Sequence, residues 1–161
     1  MAHIYTSPPI RGRVDWKGVV VAGLIAGALI TVVEMVLAGL AGVGAWLPPR
    51  MVAAVVMGRD VLNHTGGAAS VFVTALAVHA VLSILYAAIL AWAIERAQAD
   101  FRMATVAGGV FGLMLYLINF YGFAAVAFPW FADAQGGITL LVHILFGLVL
   151  AWAYRSWTAR R

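Results

Sequence analysis

Glu34, His79, Asn119 and His143 are the side chains through which this sequence could do chemistry, and each interrupts a long apolar run. A carboxyl and two imidazoles could hold a transition metal, since imidazole suits Cu, Fe or Zn and a carboxylate can complete the shell. Two imidazoles on neighbouring helices are also what a bis-histidine haem b requires. The same three groups could instead pass protons. Asn119 can bridge any of them, because an amide both donates and accepts.

Glu34 is the most demanding of the four. No other charged residue occurs from Gly18 to Pro49. An ionised carboxylate at the centre of a membrane helix costs about 2.5–3.5 kcal/mol on insertion scales. A chain that keeps one is expected to supply partners: Glu34 is either protonated or paired with the imidazolium of His79 or His143, with Asn119 between them.

The elements that position these residues follow from composition. Only 10% of the chain is charged, against about a quarter in a soluble domain, and the mean hydropathy is +1.01. Four uncharged stretches are long enough to cross a bilayer, which takes about 20 residues: about 18–44, 69–94, 103–128 and 136–154. Lipid offers no partner to a free backbone amide, so each is expected to be a helix. Alternation over ten-residue segments, the mark of a membrane β-barrel, is absent. The expected fold is all-α: a single membrane domain over 1–161, a four-transmembrane-helix bundle. A polar tail, 1–17, precedes it and ends on Trp16 and Lys17 at the first interface. The first apolar run exceeds a signal-peptide core and is expected to be retained.

Pro48 and Pro49 end one helix or open the next. The segment from about 50 to 64 would reach only about 22 Å as a helix, too short to cross, and reads as an external interfacial helix. Phe120, Tyr121, Phe123, Phe128, Trp130 and Phe131 read as an interfacial aromatic belt. With an internal N-terminus, Arg11, Arg13, Lys17, Arg96, Arg102, Arg155, Arg160 and Arg161 lie inside, and only Arg50 and Arg59 outside. That asymmetry places both termini in the cytoplasm. The basic residues sit in short flanks, which speaks for topology signals and against nucleic acid. With no cysteine, disulfides and thiolate metal sites are excluded.

At helical spacing the four polar residues lie at one level, about 11–15 Å from the external ends. Their faces are small and polar: Glu34 with Gly23, Gly27 and Thr31; His79 with Ser83 and Tyr86; Asn119 with Gly112 and Tyr116; His143 with Thr139 and Gly147. Such faces suit helix contacts rather than lipid. A polar core layer of Glu34, His79, Ser83, Tyr116, Asn119 and His143 is therefore expected. His3 and His64 read as solvent or interface residues.

Three functions fit. The foremost is a small accessory subunit of a larger bioenergetic membrane complex, respiratory or photosynthetic, with the bilayer and other membrane subunits, or further copies of itself, as partners. The alternatives are a haem- or metal-binding protein using His79 and His143 with Glu34, and a proton-coupled transporter or channel acting as an oligomer. Catalysis finds no support, for there is no G-x-S-x-G and no second acid to pair with Glu34.

Trp46-Leu47-Pro48-Pro49-Arg50-Met51, the run from Val78-His79 to Leu85-Tyr86, Tyr116-Leu117-Ile118-Asn119-Phe120-Tyr121-Gly122-Phe123, Phe128-Pro129-Trp130-Phe131 and His143-Ile144-Leu145-Phe146-Gly147-Leu148 also carry a resemblance. The chain resembles small, uncharacterised bacterial inner-membrane proteins with four predicted helices, some labelled as solute symporters. The resemblance implies a bacterial inner-membrane location and association with respiratory oxidase components; it assigns no functional residue.

Overall fold

A computed structural model describes residues 12–63 and 69–161. Most of the N-terminal tail and the turn at His64 lie outside the described residues. Among the described residues the chain is all-helical, and four helices are long and apolar enough to cross a membrane.

Helix α1 (Trp16–Leu40) starts where Asp15 Oδ1 accepts the Gly18 N–H at 3.0 Å, an N-cap that satisfies one orphan donor. It stops short of the expected Gly44. Gly42 takes φ +75°, and the Val43 and Gly42 amides turn back onto the Ala38 and Gly39 carbonyls. A left-handed glycine just past the last turn terminates a helix in this way. Helix α2 (Leu47–Met57) carries Pro48 and Pro49 in its first turn, where missing amides cost nothing, so the prolines open this helix. It begins three residues before the expected Arg50, and a 3-10 turn, Arg59–Asn63, follows.

Helix α3 (Ala69–Arg96) is joined by a short turn to α4 (Phe101–Val126), which is capped by Asp100 Oδ1 accepting the Met103 N–H at 2.7 Å. Within α4, Ile118–Phe123 forms a π-helical turn. A second 3-10 turn, Pro129–Ala134, leads into α5 (Gly137–Thr158).

Helix α1 packs between α3 and α5, and α5 packs between α1 and α4, whereas α3 and α4 touch little although they follow one another in sequence. The bundle is therefore open on its α3/α4 side. Two glycine contacts set its closest crossings. A Cβ at Gly23 would sit 2.8 Å from Ile84 Cα, and one at Gly27 would sit 2.6 Å from Ser83 Oγ. On the other side, Gly108 and Gly112 of α4 face Gly147 and the His143 carbonyl of α5 so closely that no Cβ fits between. Small residues permit this approach of backbones.

At one end the helices are clasped together. Tyr154 donates to Glu95 Oε1 at 3.1 Å and accepts the Asp15 N–H at 3.2 Å, tying α5 to α3 and to the start of α1. Asp15 Oδ2 also accepts from Trp157 Nε1 at 3.3 Å and pairs with Arg161 at 3.4 Å. The alanine-rich core, with Ala22, Ala26, Leu90, Ile94, Leu150 and Tyr154 buried, fills the bundle from this end. The outer faces are apolar: Val32, Val81, Leu85, Val106, Val110 and Leu141 are each more than half exposed.

Candidate functional site

Toward the α2 end the core gives way to a cavity of about 320 Å³. Glu34, His79, Ser83, Asn119 and His143 line it, together with Tyr86. Glu34, His79, Asn119 and His143, one from each of the four long helices, thus line one space. Tyr116, expected in the same layer, is buried but does not line the cavity. Its hydroxyl accepts the Gly136 N–H at 3.2 Å, and its ring stands edge-on to the His143 ring, centroids 5.8 Å apart.

The polar groups share a space without bonding to one another as expected. His79 Nδ1 lies 3.0 Å from Thr31 Oγ1, whose own proton is directed at the Gly27 carbonyl at 2.9 Å. With the Thr31 proton on that carbonyl, the hydroxyl accepts from the ring and Nδ1 carries the hydrogen. His143 Nδ1 lies 2.9 Å from the Thr139 carbonyl, which accepts only, and so it too is the donor. A neutral imidazole has one N–H, which leaves both Nε2 atoms as bare lone pairs. Asn119 Oδ1 accepts the Tyr86 hydroxyl at 3.1 Å, leaving its NH₂ free to donate. Among the described residues nothing donates to or pairs with the Glu34 carboxyl. Ser83 Oγ, on a residue only 1% exposed, has no partner either.

Of the two states expected for Glu34, protonated or paired with His79 or His143, the direct pairing is not formed among the described residues; the rings make separate bonds. Hydroxyls on neighbouring helices, Thr31 for His79 and Tyr86 for Asn119, and for His143 a backbone carbonyl four residues back, engage the rings and the amide first. Among the described residues no three His, Asp or Glu side chains come together as a metal-binding group; Glu34, His79 and His143 face the cavity without closing on a common ion.

The π turn explains why α4 presents so much of itself here. Its wider winding brings Asn119 and Ala124, five residues apart, onto one face, with the Ala124 amide bonded to the Asn119 carbonyl. Such turns recur at functional sites. The Phe120 carbonyl accepts from Gln135 Nε2 at 3.2 Å, which fastens the turn to the segment before α5.

Four of the six aromatic residues read from the sequence as an interfacial belt also line the cavity. Phe120, Phe123, Phe128 and Phe131 line it, and Phe120 stands edge-on to His143 with centroids 5.6 Å apart. Tyr121 does point outward. Trp130 donates to the Met51 carbonyl at 3.3 Å, holding the Pro129 turn against α2. Helix α2 itself contributes Val52 and Val55 to the lining and buries Met51, Ala53 and Ala54, so it forms a roof over the cavity. The most exposed lining side chains are Leu82 of α3, 36%, and Phe123 of α4, 57%. The mouth accordingly lies between α3 and α4, where the bundle is open and the surrounding surface is apolar.

Among the described residues, fold and site together define a small all-α chain with four apolar helices of membrane-spanning length around a mostly apolar cavity that holds a few polar groups. No family model matches the chain, and no similar curated protein or solved structure is found.

Proposed function

We propose that this chain is an integral protein of the bacterial inner membrane, with both termini in the cytoplasm and α2 at the external interface, acting as a small accessory subunit of a larger bioenergetic complex to which it contributes a ligand pocket. The observation that carries this reading is the cavity. An apolar wall with a few convergent polar groups is the common form of a small-molecule site, and about 320 Å³ falls within the range such sites occupy, about 300–1,000 Å³. Unpaired polar groups in a water-poor interior are costly, and a bound molecule would satisfy them. The apolar outer faces suit lipid or neighbouring subunits.

The test is purification of the full chain from its native membrane in mild detergent, with proteomic identification of co-purifying subunits and mass spectrometry of the organic extract. A fixed-ratio partner and an equimolar extractable molecule are expected. A free chain with an empty extract refutes the reading.

One observation favours a second reading, in which His79 and His143 hold haem or a transition metal. Metal-ligating histidines usually donate their other ring N–H to a fixed acceptor, and both rings here do so. An oxidised and reduced absorbance spectrum with elemental analysis decides it: a Soret band or a stoichiometric metal supports this reading, and blanks in both reject it.

A further inference from the structure

We infer that the cavity takes the head of a lipid-soluble quinol: a flat ring bearing two hydroxyl donors, with an apolar tail leaving between α3 and α4. This rests on the reading of the cavity as a ligand pocket and names the ligand's class.

The donor and acceptor inventory points there. The lining offers two acceptors: His143 Nε2, because that ring spends its proton on the Thr139 carbonyl, and His79 Nε2 in the tautomer whose Nδ1–H donates to Thr31. Their natural complement is a molecule with two separated O–H groups. A quinone, which has only acceptors, would set its carbonyl lone pairs against those of the imidazoles. A single alcohol would satisfy one ring and strand the other. The Asn119 NH₂, freed by the Tyr86 bond to its oxygen, remains to donate to a ligand oxygen.

The walls suit a ring. Tyr86, Phe120, Phe131 and Phe146 line the space, and aromatic rings favour one another in offset or edge-on arrangements. An anionic lipid head is disfavoured, since the lining contains no Lys or Arg and does contain Glu34. The mouth lies on an apolar surface beside Leu82 and Phe123, so a ligand dissolved in hydrocarbon could enter sideways and leave its tail outside. Binding alone is inferred.

The experiment is calorimetric titration of the full chain in detergent with decylubiquinol, with the matching quinone, and with the quinol's di-O-methyl ether. Saturable binding of the quinol is expected, tighter than either of the others by about tenfold or more, the worth of one or two hydrogen bonds. His79→Phe and His143→Phe should each weaken the quinol by about tenfold and leave the ether unchanged. His143→Gln, which keeps an acceptor, should retain most of the affinity. The ether comparison alters no residue, so it decides the matter even if a variant fails to fold. Ether or quinone binding as tightly as the quinol overturns the inference. So does the absence of quinol binding. In that last case an equimolar lipid extracted from the native chain and lost from Ala124→Phe keeps the pocket while discarding the class, whereas an empty extract discards both.

Discussion

Replacing Gly112 by alanine tests the packing that sets His143 in place. A Cβ at Gly112 would stand 2.7 Å from Ile144 Cα and nearer still to the His143 carbonyl oxygen. Carbon atoms pack comfortably from about 3.5 Å, so α5 would have to retreat from α4 by about 0.8 Å. Both obstacles are backbone, and no rotamer change relieves them. A gap of that size forfeits roughly a quarter to a half of each contact, and each contact is worth about 0.1–0.2 kcal/mol. Over on the order of 30 atom pairs along the crossing the loss is about 2 kcal/mol, within the usual range for overpacking.

Gly109→Ala is the matched control, on the same helix. Its Cβ meets only Leu148 Cδ2 at 3.6 Å, an ordinary contact. Both substitutions gain the same helix propensity, about 1 kcal/mol, so their difference isolates the strain. Unfolding of the two variants in mixed micelles of mild detergent and dodecyl sulfate measures it. Gly112→Ala should be less stable than Gly109→Ala by about 2 kcal/mol, and it should also weaken any ligand of the cavity, because the struck carbonyl belongs to His143. Equal stabilities would show that α4 and α5 do not cross on these glycines, and the placement of His143 would fall with that crossing.

Three further outcomes follow from the same contacts. Tyr154→Phe removes the hydroxyl that joins Asp15 and Glu95 and should lower stability by about 1–2 kcal/mol in thermal unfolding; no loss would mean the clasp is not formed. The Gly18 N–H, helped by Arg161 and Trp157, holds the Asp15 carboxyl below its ordinary value of 3.8. A depressed carboxyl contributes fully above that value and loses its contribution as pH falls through its folded-state value. Wild type should therefore lose stability relative to Asp15→Asn only on acidification below about pH 4, and parallel pH profiles would refute the cap. Ser83→Ala removes a buried hydroxyl without a partner, so in the ligand-free chain it should be neutral or slightly stabilising; a loss above about 1 kcal/mol would reveal a protein partner for that group.

The helices were legible because lipid-scale apolar runs admit little else, and their ends moved only where a local signal intervened, as with Gly42 after α1. Convergence of Glu34, His79, Asn119 and His143 was also legible, since depth and face follow from the 1.5 Å rise and the 3.6-residue turn. The partners were not. Helical spacing shows which side chains share a face, but whether Thr31 or Glu34 reaches His79 first depends on distances of about an ångström set by how closely Gly27 lets α1 approach α3. The second role of the Phe120–Phe131 segment, as cavity wall, is hidden for a related reason. Aromatics near a helix end read as a belt when the helix is regular, and the π turn at Ile118–Phe123 has no periodicity that a sequence reveals in advance. Phe120 and Phe123, both within that turn, line the cavity. The open α3/α4 side has the same origin. A four-residue connection suggests neighbouring helices, yet the glycine contacts of α4 with α5 and of α1 with α3 draw the two apart. The mouth of the cavity is thus produced by where the closest crossings fall, and the polar residues left unpaired beneath it face a gap that the bundle's own packing cannot fill.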